Sequence, residues 1–137
     1  MIGILVVTHA NLGSSLIETV EFILGSKPEN LESISINIQE DPELLRKKIK
    51  TGISKTRTQT GVIIFTDMFG GTPSNLSYSF LEEGRVEVIS GVNLPILLKA
   101  VNSRKKMNME QLTASLLEHG KKSISLASGI LKGTKRA

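Results

Sequence analysis

The sequence predicts an α/β fold built on an open, mostly parallel sheet, with a strand order of about 2-1-3-4 and helices on both faces. Short apolar runs rich in β-branched residues alternate along the chain with longer segments whose apolar residues recur every three or four positions. Several of the runs are continuous, which is typical of strands that helices cover on both sides. Strands and helices in alternation predict parallel strands joined by right-handed crossovers.

Turn and cap residues indicate where the elements begin and end. Asn11 is placed to cap the first helix and Gly25 to end it. Asp41 followed by Pro42 is a common helix start. We expect the short, amphipathic last strand to lie antiparallel at the sheet edge or to be exchanged between the subunits of a dimer. The predicted strands span residues 2–7, 31–38, 61–66, 86–89 and 123–127. The predicted helices span residues 12–24, 72–83, 94–106 and 109–119, with one more beginning at Pro42.

The composition narrows the class of protein. The 137 residues fit a single domain over residues 1–137, with a core at about residues 2–128 and a basic tail. Cysteine is absent and histidine occurs twice, which excludes thiol chemistry and makes a histidine-rich metal site hard to build. Aromatic residues make up 4% of the chain, too few for the base-stacking surface of a nucleic-acid-binding protein.

The formal net charge of +4 is unevenly distributed. Residues 1–98 carry 8 basic and 11 acidic side chains, whereas residues 99–137 carry 9 basic and 2 acidic ones. We interpret the basic region as a solvated helix and tail, with a docking patch for an acidic partner as the alternative. The chain has no apolar segment of membrane-spanning length and no signal-peptide pattern at its start. We therefore expect a soluble, cytoplasmic protein with no direct membrane insertion.

A candidate site is predicted at the carboxyl ends of the strands, where open α/β sheets bind ligands at the point at which strand order reverses. His9 directly follows the first strand and Asp67 the third, 58 positions away. A carboxylate bonded to one ring N–H would fix the imidazole tautomer and leave the other nitrogen free as a nucleophile. The alternatives are a histidine that merely finishes its strand and an aspartate that caps its own loop.

The loop after Asp67 carries the second set of candidate residues. Gly70 and Gly71 allow the backbone to approach a ligand closely, and Thr72 followed by Pro73 predicts a helix whose N-terminus favours an anion. An ordinary strand–helix turn is the alternative. The loop matches neither the G-x-x-x-x-G-K-[ST] motif of nucleotide-binding phosphate loops nor the G-x-G-x-x-G pattern, so a bound nucleotide is not expected. The remaining chemistry is a phosphohistidine relay without cofactor or metal.

Three segments, VVTHA, TDMFGGTPSN and SGVNLPILL, occur in this order and together resemble the enzyme IIA component of the mannose-type (mannose/fructose/sorbose) bacterial sugar phosphotransferase system. The resemblance extends over roughly residues 2–128. It implies that His9 is the phosphoryl acceptor, as tele-phosphohistidine, and that Asp67 orients and stabilises it. It also implies phosphoryl contacts from the loop and a homodimer with an exchanged last strand. The loop residues so implied are Phe69, Gly70, Gly71 and Thr72.

The resemblance also implies the partners of a phosphoenolpyruvate-dependent relay. The donor would be the histidine phosphocarrier protein, and the acceptor a IIB component that serves a membrane permease. We expect that acceptor to be a separate chain, because no IIB domain follows. One alternative is a free-standing regulatory phosphoprotein of the same fold, and another is the phosphoryl-accepting subunit related to dihydroxyacetone kinase. A receiver phosphorylated on Asp67 and a flavin carrier are less favoured, because the first strand is not followed by acidic residues and aromatic residues are scarce.

Overall fold

The structure, a computed structural model, describes residues 1–132 and confirms the predicted fold class. Four parallel strands form an open sheet in the order β2-β1-β3-β4. The chain alternates between strands and helices, as the apolar pattern predicts. The strands are β1 (Gly3–His9), β2 (Leu31–Ile36), β3 (Val62–Thr66) and β4 (Val86–Ser90). The helices are α1 (Leu12–Leu24), α2 (Pro42–Thr56), α3 (Thr72–Tyr78), α4 (Leu94–Ser103), α5 (Met109–Lys122) and α6 (Ala127–Leu131).

The core consists of two layers, one on each face of the sheet. Ile4 and Val6 of β1 point into the layer formed with α1, α4 and α5, whereas Leu5 and Val7 point into the layer formed with α2 and α3. Successive side chains of a strand point to opposite faces, so a strand buried on both sides must be apolar at every position. This double burial accounts for the continuous apolar run of β1.

Two glycines have specific structural roles. Gly25 ends α1 in the left-handed conformation (φ 75°), as predicted, and its N–H donates to the carbonyl oxygen of Glu21. Gly52 lies inside α2, where glycine lowers helix propensity. A Cβ at Gly52 would lie 2.9 Å from a methyl carbon of Leu5, so the glycine allows α2 to pack closely on β1. Gly52 thus lowers the helix propensity of α2 and allows the helix to lie closer to the sheet.

The prediction of a strand at residues 123–127 is wrong for the single chain. Residues 124–126 have no regular secondary structure, and Ala127 begins the short helix α6. Ile124 and Leu126 are 86% and 75% exposed. Alternating apolar and polar residues create strand propensity, but a strand forms only where a neighbour pairs with its backbone. The dimer exchange inferred for this segment is therefore not seen in the described residues.

Other element ends differ from the prediction by a few residues. The third helix ends at Tyr78 rather than at about Glu83. Residues 79 and 80 form a turn, and Glu82 and Val86 then exchange backbone hydrogen bonds of 3.1 and 2.8 Å across a tight turn that contains Gly84. Asn11 and Asp41 occupy the N-cap positions of α1 and α2, but neither side chain makes a capping hydrogen bond. Asn93 and Asn108, the N-cap residues of α4 and α5, do accept such a bond, from the N–H groups of Ile96 and Gln111.

At the amino ends of the strands, a buried guanidinium group binds three carbonyl groups from two backbone segments. The side chain of Arg104, only 3% exposed, donates to the carbonyl oxygens of Ile2 (3.4 Å), Asn30 (3.3 Å) and Glu29 (2.5 Å). Burial lowers the pKa of Arg104, and the charge of Glu29 partly offsets that shift. Arg104 thus holds the starts of β1 and β2 together, at the sheet edge opposite His9. None of the helices within residues 1–132 is both long and apolar enough to cross a membrane.

Candidate functional site

The structure brings His9 and Asp67 into direct contact, as the topology predicts. β1 and β3 are neighbours in register, with Val7 opposite Thr66, so the residues that follow meet at one edge of the sheet. The Oδ2 atom of Asp67 accepts a hydrogen bond of 2.9 Å from the backbone N–H of His9 and lies 2.8 Å from the ring Nδ1. The imidazole is therefore attached to the carboxylate at two points.

The electrostatics of this pair determine which ring nitrogen carries the proton. Burial raises the pKa of Asp67, but hydrogen bonds from the backbone and ring of His9 and the attraction between the two groups lower it, and the net shift is downward. The Oδ1 atom of Asp67 also accepts a hydrogen bond of 3.0 Å, from the N–H of Met68. An ionised carboxylate has no proton to donate, so Nδ1 must donate to it. In the neutral ring, Nε2 then holds a free lone pair, on a side chain that is 39% exposed.

The backbone around His9 is held by residues that we did not predict as part of the site. The buried hydroxyl of Thr8 accepts from the N–H of Gly13 at 2.8 Å and donates to the carbonyl oxygen of His9 at 3.1 Å. Ala10 has a φ of +48°, an uncommon conformation for a residue with a Cβ. Its N–H donates to the carbonyl oxygen of Ile36 at 3.3 Å. A threonine at a strand end and an alanine carry no distinctive signal in the sequence.

The glycine loop lies against the imidazole through Gly71. A Cβ at that position would be 2.9 Å from Cε1 of His9 and 3.6 Å from Nε2. Gly70 is left-handed, with a φ of +86°. Thr72 does not cap α3, because Gly71 occupies the N-cap position and Thr72 is the first helical residue. Phe69 is 79% exposed, with its ring centroid 6.4 Å from that of Tyr78.

Beneath the loop, four hydroxyl groups form a connected network. The Oγ of Ser74 donates to the carbonyl oxygen of Met68 at 2.5 Å and lies 2.6 Å from the Oγ1 of Thr66. The Oγ of Ser90 lies 2.9 Å from the Oγ1 of Thr66, and it lies 3.1 Å from both Ser74 and the Tyr78 hydroxyl. Sequence reasoning missed this network. The signal in retrospect is a polar residue at the carboxyl end of two neighbouring buried strands.

A groove beside His9 leaves the imidazole accessible from outside. It has a volume of about 550 Å³, and an ion pair between Lys48 and Glu40, with both oxygens 2.9 Å from the ammonium nitrogen, forms part of its wall. Within residues 1–132, no three side chains of the metal-binding types come together. A nucleophilic ring nitrogen on an open surface suits attack on a group that another protein presents.

Comparison with known proteins identifies relatives along most of the chain. The family model EIIA-man, described as the PTS system fructose IIA component, matches residues 3–117. The fructose-specific EIIA component of Bacillus subtilis is 29% identical over 100% of this chain and 94% of its own length. The sorbose-specific EIIA component of Lacticaseibacillus casei is 34% identical over 84% of this chain and 83% of its own length. The mannose-specific EIIAB component of Escherichia coli is 31% identical over 90% of this chain, which corresponds to 38% of that protein.

Solved structures agree with these relatives. The phosphotransferase system component EIIA from Streptococcus agalactiae superposes with a TM-score of 0.82 at 25% identity, over 93% of this chain and 98% of that one. The PTS IIA protein associated with the fucose utilization operon of Streptococcus pneumoniae gives a TM-score of 0.78 at 25% identity, over 94% and 95% of the two chains. Since the family model covers most of the sequence, this chain belongs to the EIIA-man family, the mannose-type IIA components of the phosphotransferase system.

Proposed function

We propose that His9 is the residue on which this IIA component carries its phosphoryl group, and that Nε2 is the nitrogen phosphorylated. A IIA component accepts phosphate from a phosphocarrier protein and passes it to a IIB component. The observation that carries the assignment to His9 is the carboxylate oxygen of Asp67, which accepts from both the backbone N–H and Nδ1 of His9. That arrangement leaves Nε2 with the lone pair that attack on phosphorus requires.

The proposed transfer balances without any further reactant. The Nε2 lone pair attacks the phosphorus atom of the donor's phosphohistidine, and the donor N–P bond breaks with its electron pair returning to the donor nitrogen. Nδ1 keeps its proton, and the ionised Asp67 stabilises the positive charge that the ring gains. Onward transfer to the acceptor is the same displacement, with the ring of His9 as the leaving group. Catalysis is thus by positioning and charge stabilisation.

We propose that Phe69, Gly70, Gly71 and Thr72 bind the phosphoryl oxygens. The support for this is the position of Gly71 against the edge of the imidazole, where a side chain would occupy space next to Nε2. The first backbone N–H groups of a helix have no acceptor within it, so the N–H of Thr72 at the start of α3 is available to an anion, whereas Pro73, the next residue, has none. Thr72 would contribute as the first helical residue.

The partners we propose are the histidine phosphocarrier protein as donor and a IIB component as acceptor, with a membrane permease served indirectly. The E. coli relative is named EIIAB, so an A unit and a B unit are joined in that protein. The relatives reported above are named as phosphotransferase components, which favours a relay over a subunit related to dihydroxyacetone kinase. We place the relay in the cytoplasm, where phosphoenolpyruvate is made.

We also propose that the protein is a homodimer. β4 is the last strand in the sheet order, and the segment that follows α5 exposes the side chains of Ile124 and Leu126. Exposed apolar side chains in a segment with strand propensity favour pairing with another chain. Light scattering coupled to size exclusion is expected to give the mass of a dimer. Charged residues at both positions should shift the mass toward the monomer.

The experiment that tests the role of His9 uses the other histidine as its control. Protein incubated with phosphorylated phosphocarrier should acquire a label that is stable in alkali and labile in acid. His9→Ala should abolish the label, whereas His119→Ala should retain it. A label that persists in the His9 variant would show that another residue is the acceptor, and an alkali-labile label would indicate an acyl phosphate on Asp67.

A further inference from the structure

We infer that the hydroxyl network formed by Thr66, Ser74, Tyr78 and Ser90 is a positioning device that holds Asp67, and through it His9, in the geometry for phosphoryl transfer. The inference rests on the proposed role of His9 and assigns a function to four residues that do not touch the imidazole. It follows from how the network is connected, from its burial, and from the backbone group at which it ends.

The network ends on the backbone of the residue next to Asp67. A carbonyl oxygen only accepts, so Ser74 donates to Met68, and the 2.5 Å distance indicates a close hydrogen bond. The N–H of the same Met68 donates to the Oδ1 of Asp67 at 3.0 Å. Met68 is thus held through its carbonyl by the network, while its N–H holds the carboxylate. The other carboxylate oxygen, Oδ2, holds His9.

The other end of the network is anchored in rigid structure. Thr66 and Ser90 are paired residues at the ends of β3 and β4, and the carbonyl oxygen of Thr66 also accepts from the N–H groups of Gly91 and Val92 at 3.0 and 2.9 Å. Tyr78 is the last residue of α3. The hydroxyls therefore tie two strand ends and one helix to a single loop carbonyl.

Because Ser74 is buried, water cannot replace its hydrogen bonds when the hydroxyl is removed. Thr66 and Ser74 are fully buried, so removing the hydroxyl of Ser74 would leave the Met68 carbonyl and the hydroxyl of Thr66 without this partner. A buried polar group that loses its partner favours a rearranged backbone that satisfies it. The loop bearing Asp67 is free to make that rearrangement, because it is exposed at Met68 and Phe69.

Ser77 supplies a matched control. It lies on the same helix as Ser74, is equally buried, and donates to the carbonyl oxygen of Pro73 at 2.6 Å. This bond stays within α3 and has no link to Met68. Ser77→Ala therefore deletes a buried serine hydroxyl without touching the network.

The test measures the tautomer of His9 in the unphosphorylated protein and the single-turnover rate of phosphorylation by the phosphocarrier. Ser74→Ala, Ser90→Ala and Tyr78→Phe should each reduce the population of the Nδ1–H tautomer, seen in long-range ¹H–¹⁵N spectra of the ring. They should also slow transfer by about tenfold, the order expected when a reacting group is misplaced by a fraction of an ångström. Ser77→Ala should match the wild type in both, and Ser90→Thr, which keeps the hydroxyl, should restore both.

The inference is overturned if the network variants that fold behave like Ser77→Ala in tautomer and rate, even where their melting temperatures fall. Tyr78→Phe keeps the ring and removes only the outermost hydroxyl, so it remains informative if Ser74→Ala does not fold. The tautomer is read without phosphate, so this outcome is separate from failure of the proposed function, which would appear as a label that survives in His9→Ala.

Discussion

A single oxygen atom of Asp67 accepts hydrogen bonds from both the backbone N–H and the ring of His9, at 2.9 and 2.8 Å, although the two residues are 58 positions apart in the chain. The first bond fixes where the strand end lies, and the second fixes how the ring is turned. Together they present Nε2 to the outside, and this is the nitrogen that we propose is phosphorylated.

Replacing Asp67 by Asn should slow phosphorylation of His9 by about 10²-fold, the usual cost of losing one electrostatic partner of a developing charge. The amide is neutral and does not stabilise the imidazolium that forms on attack. Rapid-quench labelling with phosphorylated phosphocarrier measures the rate. Glu40→Gln is the control. It also removes a carboxylate charge, in the neighbouring groove, but Glu40 pairs with Lys48 rather than with His9. Equal rates in both variants would argue against a catalytic role for the carboxylate.

The stability of the protein should depend on pH through Asp67. The pKa of Asp67 is lower in the folded protein than its ordinary value of 3.8, so the ionised carboxylate stabilises the folded state at pH values above 3.8. That contribution is lost as the pH falls from 3.8 through the folded pKa. Urea unfolding of the wild type and of Asp67→Asn should therefore differ most near neutral pH and converge in acid. A difference that stays constant with pH would contradict this origin.

A side chain at Gly71 should displace the imidazole. Gly71 has an extended backbone (φ −86°, ψ 170°) that any residue adopts, so Gly71→Val should fold, but its Cβ would lie 2.9 Å from Cε1 of His9. We expect transfer to slow by at least about tenfold. The contrasting variant is Gly70→Ala, where no atom lies within 4 Å but φ is +86°. It should lose about 1 kcal/mol of stability and retain more of the activity. The reverse pattern would locate the sensitive contact elsewhere.

Arg104 should matter for stability and not for transfer. Arg104→Ala removes charge-assisted hydrogen bonds to three buried or half-buried carbonyl groups and should lower the free energy of unfolding by about 3 kcal/mol. Lys105→Ala removes an exposed charge next to it and should change stability little. Because Arg104 lies at the amino ends of the strands, the folded variant should phosphorylate at the wild-type rate. A loss of rate without a loss of stability would contradict this separation.

The approach of His9 to Asp67 could be predicted because it depends only on topology. Two neighbouring parallel strands end at the same edge, and each candidate residue follows a strand directly. The network at Ser74 and Ser90 could not be predicted. A hydrogen bond between hydroxyl groups depends on the position and rotamer of each side chain, and the sequence does not specify either. The predicted strand at residues 123–127 failed for a related reason: strand pairing requires a second backbone, and local alternation carries no information on whether one is present.

Periodicity and turn residues were sufficient to predict the four parallel strands and all but the last of the helices, since burial on one or both faces imposes repeats that are visible along a chain. The strand order was taken from the fold class that this alternation indicates. The phosphotransfer chemistry was foreseeable for a different reason: few residue types suit it. Only the folded protein shows the hydrogen bond that leaves Nε2 of His9 free, how closely Gly71 approaches the ring, and which hydroxyls form the network beneath the loop. Those features depend on atoms far apart in sequence, whose separations are fixed to fractions of an ångström by packing.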